Sequence, residues 1–182
     1  MTADLPGSAP AGSTEVRAHL RAHFADAGVL TEPETARVTF LGLEPIAVMR
    51  FGPTPDGVIH YVSVGGSRHQ EGTRTEVVLS LRGESVGAGL ARSVAVVAAA
   101  PAVEGLMLMG GALIDLGEPL WARAPFTAFL LGDSSIEPVN DVEFLRAIPI
   151  TATEAAWVRL KGPDAMRQAW QDDGVDVLDP QR

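Results

Sequence analysis

The sequence predicts an α+β fold in which helices cover a mixed, mostly antiparallel sheet within a single domain. The first observation is that β-type segments follow one another in runs instead of alternating with helices, which is typical of antiparallel sheets. The second is size, because 182 residues suit one domain with a real core and are few for two. The third is an ordinary globular composition, 46% apolar and 20% charged.

The chain is expected to begin with a disordered tail, Met1–Gly12, because this stretch is rich in alanine, glycine, proline and serine. The folded domain is expected over residues 13–182. Its first helix is capped by Ser13 or Thr14 and ends near Ala27. Apolar side chains recur there at helical spacing, at Val16, Leu20, Phe24 and Ala27.

Four strands are predicted next, from runs of β-branched and apolar residues with turn residues between them. They span Arg37–Leu41, Pro45–Phe51, Val58–Val64 and Arg74–Leu81. The turn Pro53–Gly57 separates the second strand from the third, and the polar loop Gly65–Gly72 separates the third from the fourth.

The second half of the chain begins with a long helix and continues with strands. Ser85 opens a helix from Val86 to about Ala100, and Pro101 ends it. The stretch Leu106–Leu116 is ambiguous because two glycines interrupt it. The two strands that follow are Phe126–Leu131 and Val142–Ile148.

Two helices, Thr151–Leu160 and Pro163–Asp172, are expected near the end of the domain. Thr151 and Glu154 have the spacing of a capping box, and a proline suits the first turn of the second helix. Val175–Asp179 is predicted to form a short final strand.

Charge and cysteine content limit the chemistry. The net charge is −9, from 23 acidic and 14 basic residues, and an acidic surface repels phosphate backbones, which argues against nucleic acid as a partner. The same charge suits solubility or a basic protein partner. The chain has no cysteine, so disulfides, iron–sulfur clusters, thiolate zinc sites and cysteine nucleophiles are excluded.

The sequence shows no targeting or membrane segment. Met1–Gly12 lacks the basic and apolar regions of a signal peptide, and no apolar run reaches bilayer length. Arginine far outnumbers lysine, and alanine and glycine are frequent, which is typical of a GC-rich bacterial genome. We therefore expect a bacterial, cytoplasmic protein that does not contact a membrane.

One motif resembles a nucleotide-binding fingerprint. The segment Gly87–Arg92 reads Gly-Ala-Gly-Leu-Ala-Arg between a predicted strand and a helix, where glycines would let a pyrophosphate approach a helix N-terminus. Arg92 stands in place of the third glycine, and the preceding hairpins do not form a βαβ unit. A small-molecule or nucleotide-binding protein that uses this helix start is therefore the alternative function.

The histidines and serines do not form a catalytic or metal-binding pattern. His19 and His23 have the i, i+4 spacing that can hold a metal, but a core or boundary position is favoured. Ser67 and His69 share a loop without a nucleophile elbow or an orienting acid. We predict a non-enzymatic protein with no catalytic residue, no metal and no cofactor.

Several segments, in their order and spacing, resemble the suppressor-of-fused domain family. His60-Tyr61-x-Ser63 running into Gly65-x-Ser67 is similar to the central strand and loop of that family. The other similar segments are Glu76–Leu81, Gly89–Arg92, Phe126–Leu131, Val142–Leu145, Ile148–Glu154 and Val175–Asp179. The resemblance extends from about Arg37 to Asp179.

The resemblance implies a protein-binding, non-enzymatic role. In animals the family binds a zinc-finger transcription factor of the Hedgehog pathway by clamping an extended peptide between two domains, and this chain resembles only the N-terminal one. Arg68 stands where the animal proteins have an acidic residue, so the animal ligand is not carried over. Bacterial relatives are associated with toxin–immunity systems, which implies an immunity protein that binds and neutralises a toxin.

The predicted contacts with a protein partner are Ser67, Arg68, His69 and Trp121. The first three lie in the loop Gly65–His69, and polar, glycine-rich loops on a rigid sheet suit recognition. Trp121 lies in another loop beside an arginine, a typical protein contact, although packing under its own loop fits equally well. An exposed strand edge could also accept a strand, or a second copy in a weak homodimer.

Overall fold

The structure is a computed structural model that describes residues 12–83 and 87–182. Within these residues the chain forms one seven-stranded mixed sheet and four α-helices. The predicted α+β class and single domain are confirmed. Residues 1–11 of the predicted tail lie outside the described residues, as do Ser85 and Val86, where the second helix was expected to open.

The helices are α1 Ser13–Asp26, α2 Leu90–Glu104, α3 Ala152–Lys161 and α4 Pro163–Asp172. The strands are β1 Glu34–Val38, β2 Ile46–Phe51, β3 Val58–Val64, β4 Arg74–Arg82, β5 Leu113–Asp115, β6 Phe126–Asp133 and β7 Val142–Thr151. Their order in the sheet is β1-β2-β3-β4-β7-β6-β5. The neighbours β4 and β7 are parallel, and the other neighbouring pairs are antiparallel.

The helices cover both faces of the sheet because alternate side chains of each strand point to opposite faces. Helix α2 packs on one face, where its alanines and valines meet the apolar residues of the central strands. Helix α1 packs on the other face over β2, β3 and the start of β7. Helices α3 and α4 cover β6 and the end of β7. The core therefore has three layers, with the sheet in the middle.

Several predicted elements are confirmed. Strand β3 and helix α4 have the predicted bounds. The capping box is present: the Thr151 hydroxyl accepts from the Glu154 amide, and the Glu154 carboxylate accepts from the Thr151 amide. No helix among the described residues is long and apolar enough to span a membrane.

Two helix boundaries differ from the prediction. The first helix has Gly12 as its N-cap, and neither Ser13 nor Thr14 caps it. Helix α2 passes through Pro101 and ends at Glu104, because Gly105 takes the left-handed conformation that stops a helix. A proline in the last turn forfeits one helical hydrogen bond, which a well-packed helix tolerates.

Two strand predictions also differ from the structure. Strand β1 covers Glu34–Val38 instead of Arg37–Leu41, because its antiparallel register against β2 decides its ends. The segment Val175–Asp179 is not a strand. Asp176 turns it by accepting hydrogen bonds from the amides of Leu178 and Asp179, and the Arg82 amide donates to Leu178.

Candidate functional site

The loop Gly65–Thr73, here called the recognition loop, leaves β3 by a sharp turn that glycine makes possible. Gly65 has φ of 116°, in the left-handed region, and a 3-10 turn spans Gly66–His69. Gly66 lies directly against α2, since a Cβ there would be 2.7 Å from the carbonyl oxygen of Ala98. The loop is therefore pressed onto the middle of the long helix.

A buried carboxylate holds the loop from beneath. Glu76 on β4 is fully buried and accepts four hydrogen bonds. Its Oε1 accepts from the Gly65 amide at 2.7 Å, the Ser67 amide at 3.0 Å and the Ser67 hydroxyl at 2.7 Å. Its Oε2 accepts from the Ser63 hydroxyl at 2.5 Å. Such a satisfied polar network fixes one loop conformation.

Two more side chains tie the loop to the sheet. The buried Arg74 donates from Nε to the Ser67 carbonyl at 3.0 Å and from Nη1 to both carboxylate oxygens of Asp141. This interaction lowers the pKa of Asp141, mainly through the hydrogen bond from Arg74. The Gln70 amide group also exchanges two hydrogen bonds with the backbone of Thr75.

The structure separates the three predicted contacts of this loop. Ser67 is 2% exposed and supports the loop from inside, so its hydroxyl is not available to a partner in this conformation. Arg68 is exposed and points toward the start of β2, where it pairs with Glu44 at 2.9 Å and donates to the Pro45 carbonyl. His69 is half-buried and faces the opposite side.

The fourth predicted contact, Trp121, lies elsewhere. It is 5% exposed and packs on Phe126, with ring centroids 5.6 Å apart. It lies against Gly89 at the start of α2, whereas the recognition loop contacts Ala98. Nine residues of helix separate these points, about 13 Å along the axis. Trp121 is therefore a core residue under its own loop and does not join the recognition loop.

The nucleotide-like glycines are used in packing. A Cβ at Gly87 would be 2.4 Å from the carbonyl oxygen of Ala122, and the Ala122 amide donates to the Ala88 carbonyl. Gly89 takes the left-handed conformation as the N-cap of α2. The loop that contains Trp121 thus covers the helix start that a pyrophosphate would need, and no observation favours nucleotide binding here.

A surface that the sequence did not predict lies beside His69. After Gly105 the chain reads Leu-Met-Leu-Met, and the segment Leu106–Gly110 is here called the methionine segment. Met107 is 76% exposed, Met109 is 55% exposed and Leu106 is 40% exposed, while Leu108 is buried and anchors the segment. The sequence signal for this surface was the run of four apolar residues directly after the end of a helix. The two glycines that follow the run made the stretch ambiguous.

The recognition loop and the methionine segment form the two walls of a groove, here called the methionine groove. Its volume is about 800 Å³, and Leu145 of β7 lies at its base. Three exposed carboxylates, those of Glu71, Asp133 and Glu143, line it. Among the described residues it has no lysine or arginine in its lining. The groove is therefore apolar on one wall and acidic around it.

The histidines lie away from this groove, except for His69. His19 Nε2 lies 2.7 Å from the Glu137 carbonyl oxygen, and the His19 ring stacks on the ring of Phe144. Burial, followed by the charge of His19, lowers the pKa of His23. Residues 12–83 and 87–182 contain no cluster of three or more metal-ligating side chains.

Among residues 12–83 and 87–182, one serine–histidine pair is within hydrogen-bond distance, on β3 and β4. His60 Nδ1 lies 2.7 Å from the Ser80 hydroxyl, and burial lowers the pKa of His60 to about 4. A ring with so low a pKa is a weak base near neutral pH. The nearby Asp56 carboxylate accepts from the Thr54 hydroxyl instead of orienting the imidazole. In the part of the chain that the structure describes, the pair therefore has no third group of the kind that nucleophilic catalysis needs.

The comparisons with known proteins agree with this architecture. The family model described as suppressor of fused protein (SUFU) matches residues 42–182. The chain belongs to the suppressor of fused family. Both the recognition loop and the methionine segment lie inside the matched range, and so do Glu76 and Arg74.

Solved structures of the suppressor of fused family share the fold. A homologue from Neisseria gonorrhoeae FA 1090 has a TM-score of 0.77 and 20% identity, over 93% of this chain and 94% of that chain. Drosophila suppressor of fused has a TM-score of 0.65 and 15% identity, over 92% of this chain and 48% of that one. The structure of a Sufu–Fu complex has a TM-score of 0.64 and 14% identity, over 91% of this chain and 85% of that chain. Curated proteins provide no match.

Proposed function

We propose that this chain is a non-enzymatic protein-binding domain whose partner occupies the methionine groove. The observation that carries the proposal is the exposure of Leu106, Met107 and Met109 beside a rigid loop in a domain whose other large apolar residues are mostly buried. A cluster of exposed apolar side chains marks an interaction surface. Methionine suits such a surface because its side chain is flexible and polarisable.

The charge around the groove favours a basic partner. Glu71, Asp133 and Glu143 surround the apolar wall, and Glu104 is exposed at the end of α2. Opposite charges at the rim steer a partner and exclude those of like charge. The partner would therefore be a protein segment with apolar anchors flanked by lysine or arginine.

The predicted contacts take different roles in this proposal. His69 contributes directly to the groove, and Arg68 is an exposed contact at the outer side of the same loop. Ser67 acts through Glu76 by holding the loop in place. Trp121 supports the opposite end of α2 and is not expected to touch the partner.

The family and its relatives support a protein partner. One relative was solved as a Sufu–Fu complex, so that protein binds another protein. The likeness to the Neisseria homologue supports a bacterial setting, and we propose a cytoplasmic protein there. In that setting a basic, apolar partner could be a toxin, which this chain would bind and neutralise as an immunity protein.

Self-association is a separate part of the proposal. Strand β1 forms one edge of the sheet, and its residues Glu34–Arg37 are exposed. An open edge can pair with a second copy, although charged side chains such as these weaken edge pairing. A weak homodimer is therefore expected only at high concentration, and light scattering over a concentration series tests it.

The main experiment uses labelled peptide pairs that share leucine and phenylalanine anchors and differ in basic or acidic flanks. Fluorescence polarisation should show that the basic peptides bind, and that rising salt weakens binding because the rim charges are exposed. The double variant Met107→Glu, Met109→Glu should lose at least about tenfold in affinity. The charge reversal Glu71→Lys, Glu143→Lys should shift the preference toward acidic flanks.

The matched control is Leu160→Glu, which adds the same charge at an exposed leucine on α3 outside the groove. It should bind as the wild type does. The proposal fails if Leu160→Glu weakens binding as much as the groove variant, or if acidic and basic peptides bind equally. The toxin assignment is then tested by capturing the native partner from the host with the wild type, the Met107→Glu, Met109→Glu variant and Leu160→Glu. The captured protein must be toxic alone and harmless in the complex.

A further inference from the structure

A second concave site lies on the far side of the recognition loop, and arginines dominate it. Its volume is about 400 Å³, between the start of α1, strand β1 and the recognition loop. Its base is formed by Ala47 and Val64 of the sheet. Arg17, Arg37 and Arg68 line it, and we call it the arginine pocket.

The positive charge of this pocket is a local exception in a chain with a net charge of −9. Among the described residues that line it, three carry guanidinium groups and Glu44 alone is acidic, which leaves a local excess of two positive charges. Glu44 pairs with Arg68. Within the described residues, Arg17 and Arg37 form no hydrogen bond or ion pair.

The surroundings of Arg17 disfavour its charged form. Burial first, and then the charges of Arg37, Arg21 and Arg68, lower the pKa of Arg17. A cation that is partly withdrawn from water beside other cations is stabilised when an anion reaches it. The arrangement therefore favours an anionic ligand over an empty pocket.

Further donors lie beside the arginines. The Ser13 hydroxyl lines the pocket, and its oxygen is buried without a hydrogen-bond partner among the described residues. Ser13 is the first residue of α1, a helix of 14 residues, whose N-terminus adds partial positive charge to the same place. The unpaired hydroxyl and the free guanidinium groups can together donate hydrogen bonds to the oxygens of a tetrahedral anion.

We infer that the arginine pocket binds a phosphate group. A phosphate carries about −1.5 to −2 charges at pH 7, which matches the local excess of two positive charges. Arginine pairs with phosphate through two parallel hydrogen bonds, so two free guanidinium groups can hold one phosphate. The pocket is distinct from the methionine groove, and this inference goes beyond the proposed protein-binding function. The phosphate could belong to a small molecule or to a phosphorylated protein segment.

The test is a titration of the full chain with inorganic phosphate, pyrophosphate and a phosphoserine peptide, with sodium chloride at matched ionic strength as the reference. Binding is followed by calorimetry and by the NMR signals of arginine side chains. We expect saturable binding at one site, with changes at Ser13 and Arg17. The double variant Arg17→Gln, Arg37→Gln should weaken binding by about tenfold or more.

The control variant is Arg92→Gln, which removes an exposed arginine that pairs with Glu118 away from the pocket. It should bind phosphate as the wild type does. Without phosphate, the double variant should melt at the same temperature as the wild type or higher, because it removes like-charge repulsion. A merely structural role of Arg17 and Arg37 would instead lower the melting temperature.

The outcomes separate the sources of the phosphate group. Tighter binding of the phosphoserine peptide than of its unphosphorylated form and of free phosphate would assign a phosphorylated protein segment. Equal affinity for free phosphate and the peptide would assign the phosphate group alone. Changes that chloride reproduces, or that persist in the double variant, would overturn the inference.

Discussion

The two walls of the methionine groove are built in opposite ways. The recognition loop is held by a buried carboxylate with four hydrogen bonds, by Arg74 and by a glycine pressed onto α2. The methionine segment is held at its ends by backbone hydrogen bonds, and by the buried Leu108 between them. One wall therefore has a fixed shape, whereas the other can change side-chain conformation to fit a partner.

This difference indicates how the proposed groove would recognise a partner. The rigid wall fixes where a segment must lie, and the flexible apolar side chains contribute the burial of apolar surface. Fully burying one such side chain is worth about 1.5–3 kcal/mol. Stability should therefore depend on the recognition loop and on the buried Leu108, and binding should depend on the exposed side chains of the methionine segment.

The largest effect is expected at Glu76. The buried hydroxyl and amide groups that donate to the Glu76 carboxylate lose their acceptor in the variant Glu76→Ala. This should lower the free energy of unfolding by about 3–5 kcal/mol. Glu76→Gln keeps the shape and part of the bonding, so its loss should be smaller. Urea unfolding measures both. Glu143→Ala, at an exposed glutamate on the adjacent strand, is the control, and an equal loss there would contradict the assignment.

The next effect distinguishes two neighbours in the methionine segment. Leu108→Ala should lower the free energy of unfolding by about 2–4 kcal/mol because it leaves a cavity in the core. Met107→Ala should change it by no more than about 0.5 kcal/mol, since this side chain is exposed. Peptide binding should show the reverse dependence on Met107. Equal destabilisation by the two substitutions would mean that the segment is packed throughout.

One glycine on each wall sharpens the comparison further. Gly66→Ala places a methyl group 2.7 Å from the Ala98 carbonyl oxygen, so the loop must move away from α2 at a cost of about 1–3 kcal/mol. Gly110→Ala meets only the Asp133 carboxylate at 3.7 Å, an ordinary contact. It should therefore be nearly neutral in thermal unfolding. A neutral Gly66→Ala would show that the loop is less firmly held than the structure indicates.

The smallest effect is a pH dependence at the base of the recognition loop. The hydrogen bond from Arg74 lowers the pKa of Asp141 in the folded state below the value of about 3.8 for an ordinary aspartate. The resulting stabilisation is present above pH 4 and is lost as the pH falls through the lowered pKa. Hydrogen exchange of the loop amides should therefore speed up below about pH 4, after correction for the intrinsic exchange rate.

In the variant Asp141→Asn this extra acceleration should be absent, and exchange at pH 7 should already be faster than in the wild type. An unchanged pH profile in the variant would assign the acid response to other groups. The effect is limited because Asp141 itself is exposed and its charge is screened by solvent.

Elements whose ends depend on their own residues were predicted well from the sequence. The alternation of β3, the spacing of Thr151 and Glu154, and Pro163 at the start of α4 were each sufficient to place an element. Strand β1 was misplaced because its ends depend on pairing with β2, which is remote from its own residues. Of the proposed groove, the sequence indicated the loop but not the methionine segment.

What the sequence determined by itself was the fold class, the order of most of the elements and the chemistry excluded by the absence of cysteine. It left β5 ambiguous and added a final strand that the structure does not have. Periodicity shows which side of an element is apolar, and this is sufficient for an α+β assignment. Only the tertiary structure decided that β4 and β7 are parallel neighbours, that Ser67 and Trp121 are buried, and that Met107 is exposed. These outcomes depend on contacts between residues far apart in the chain, and such contacts leave no local pattern.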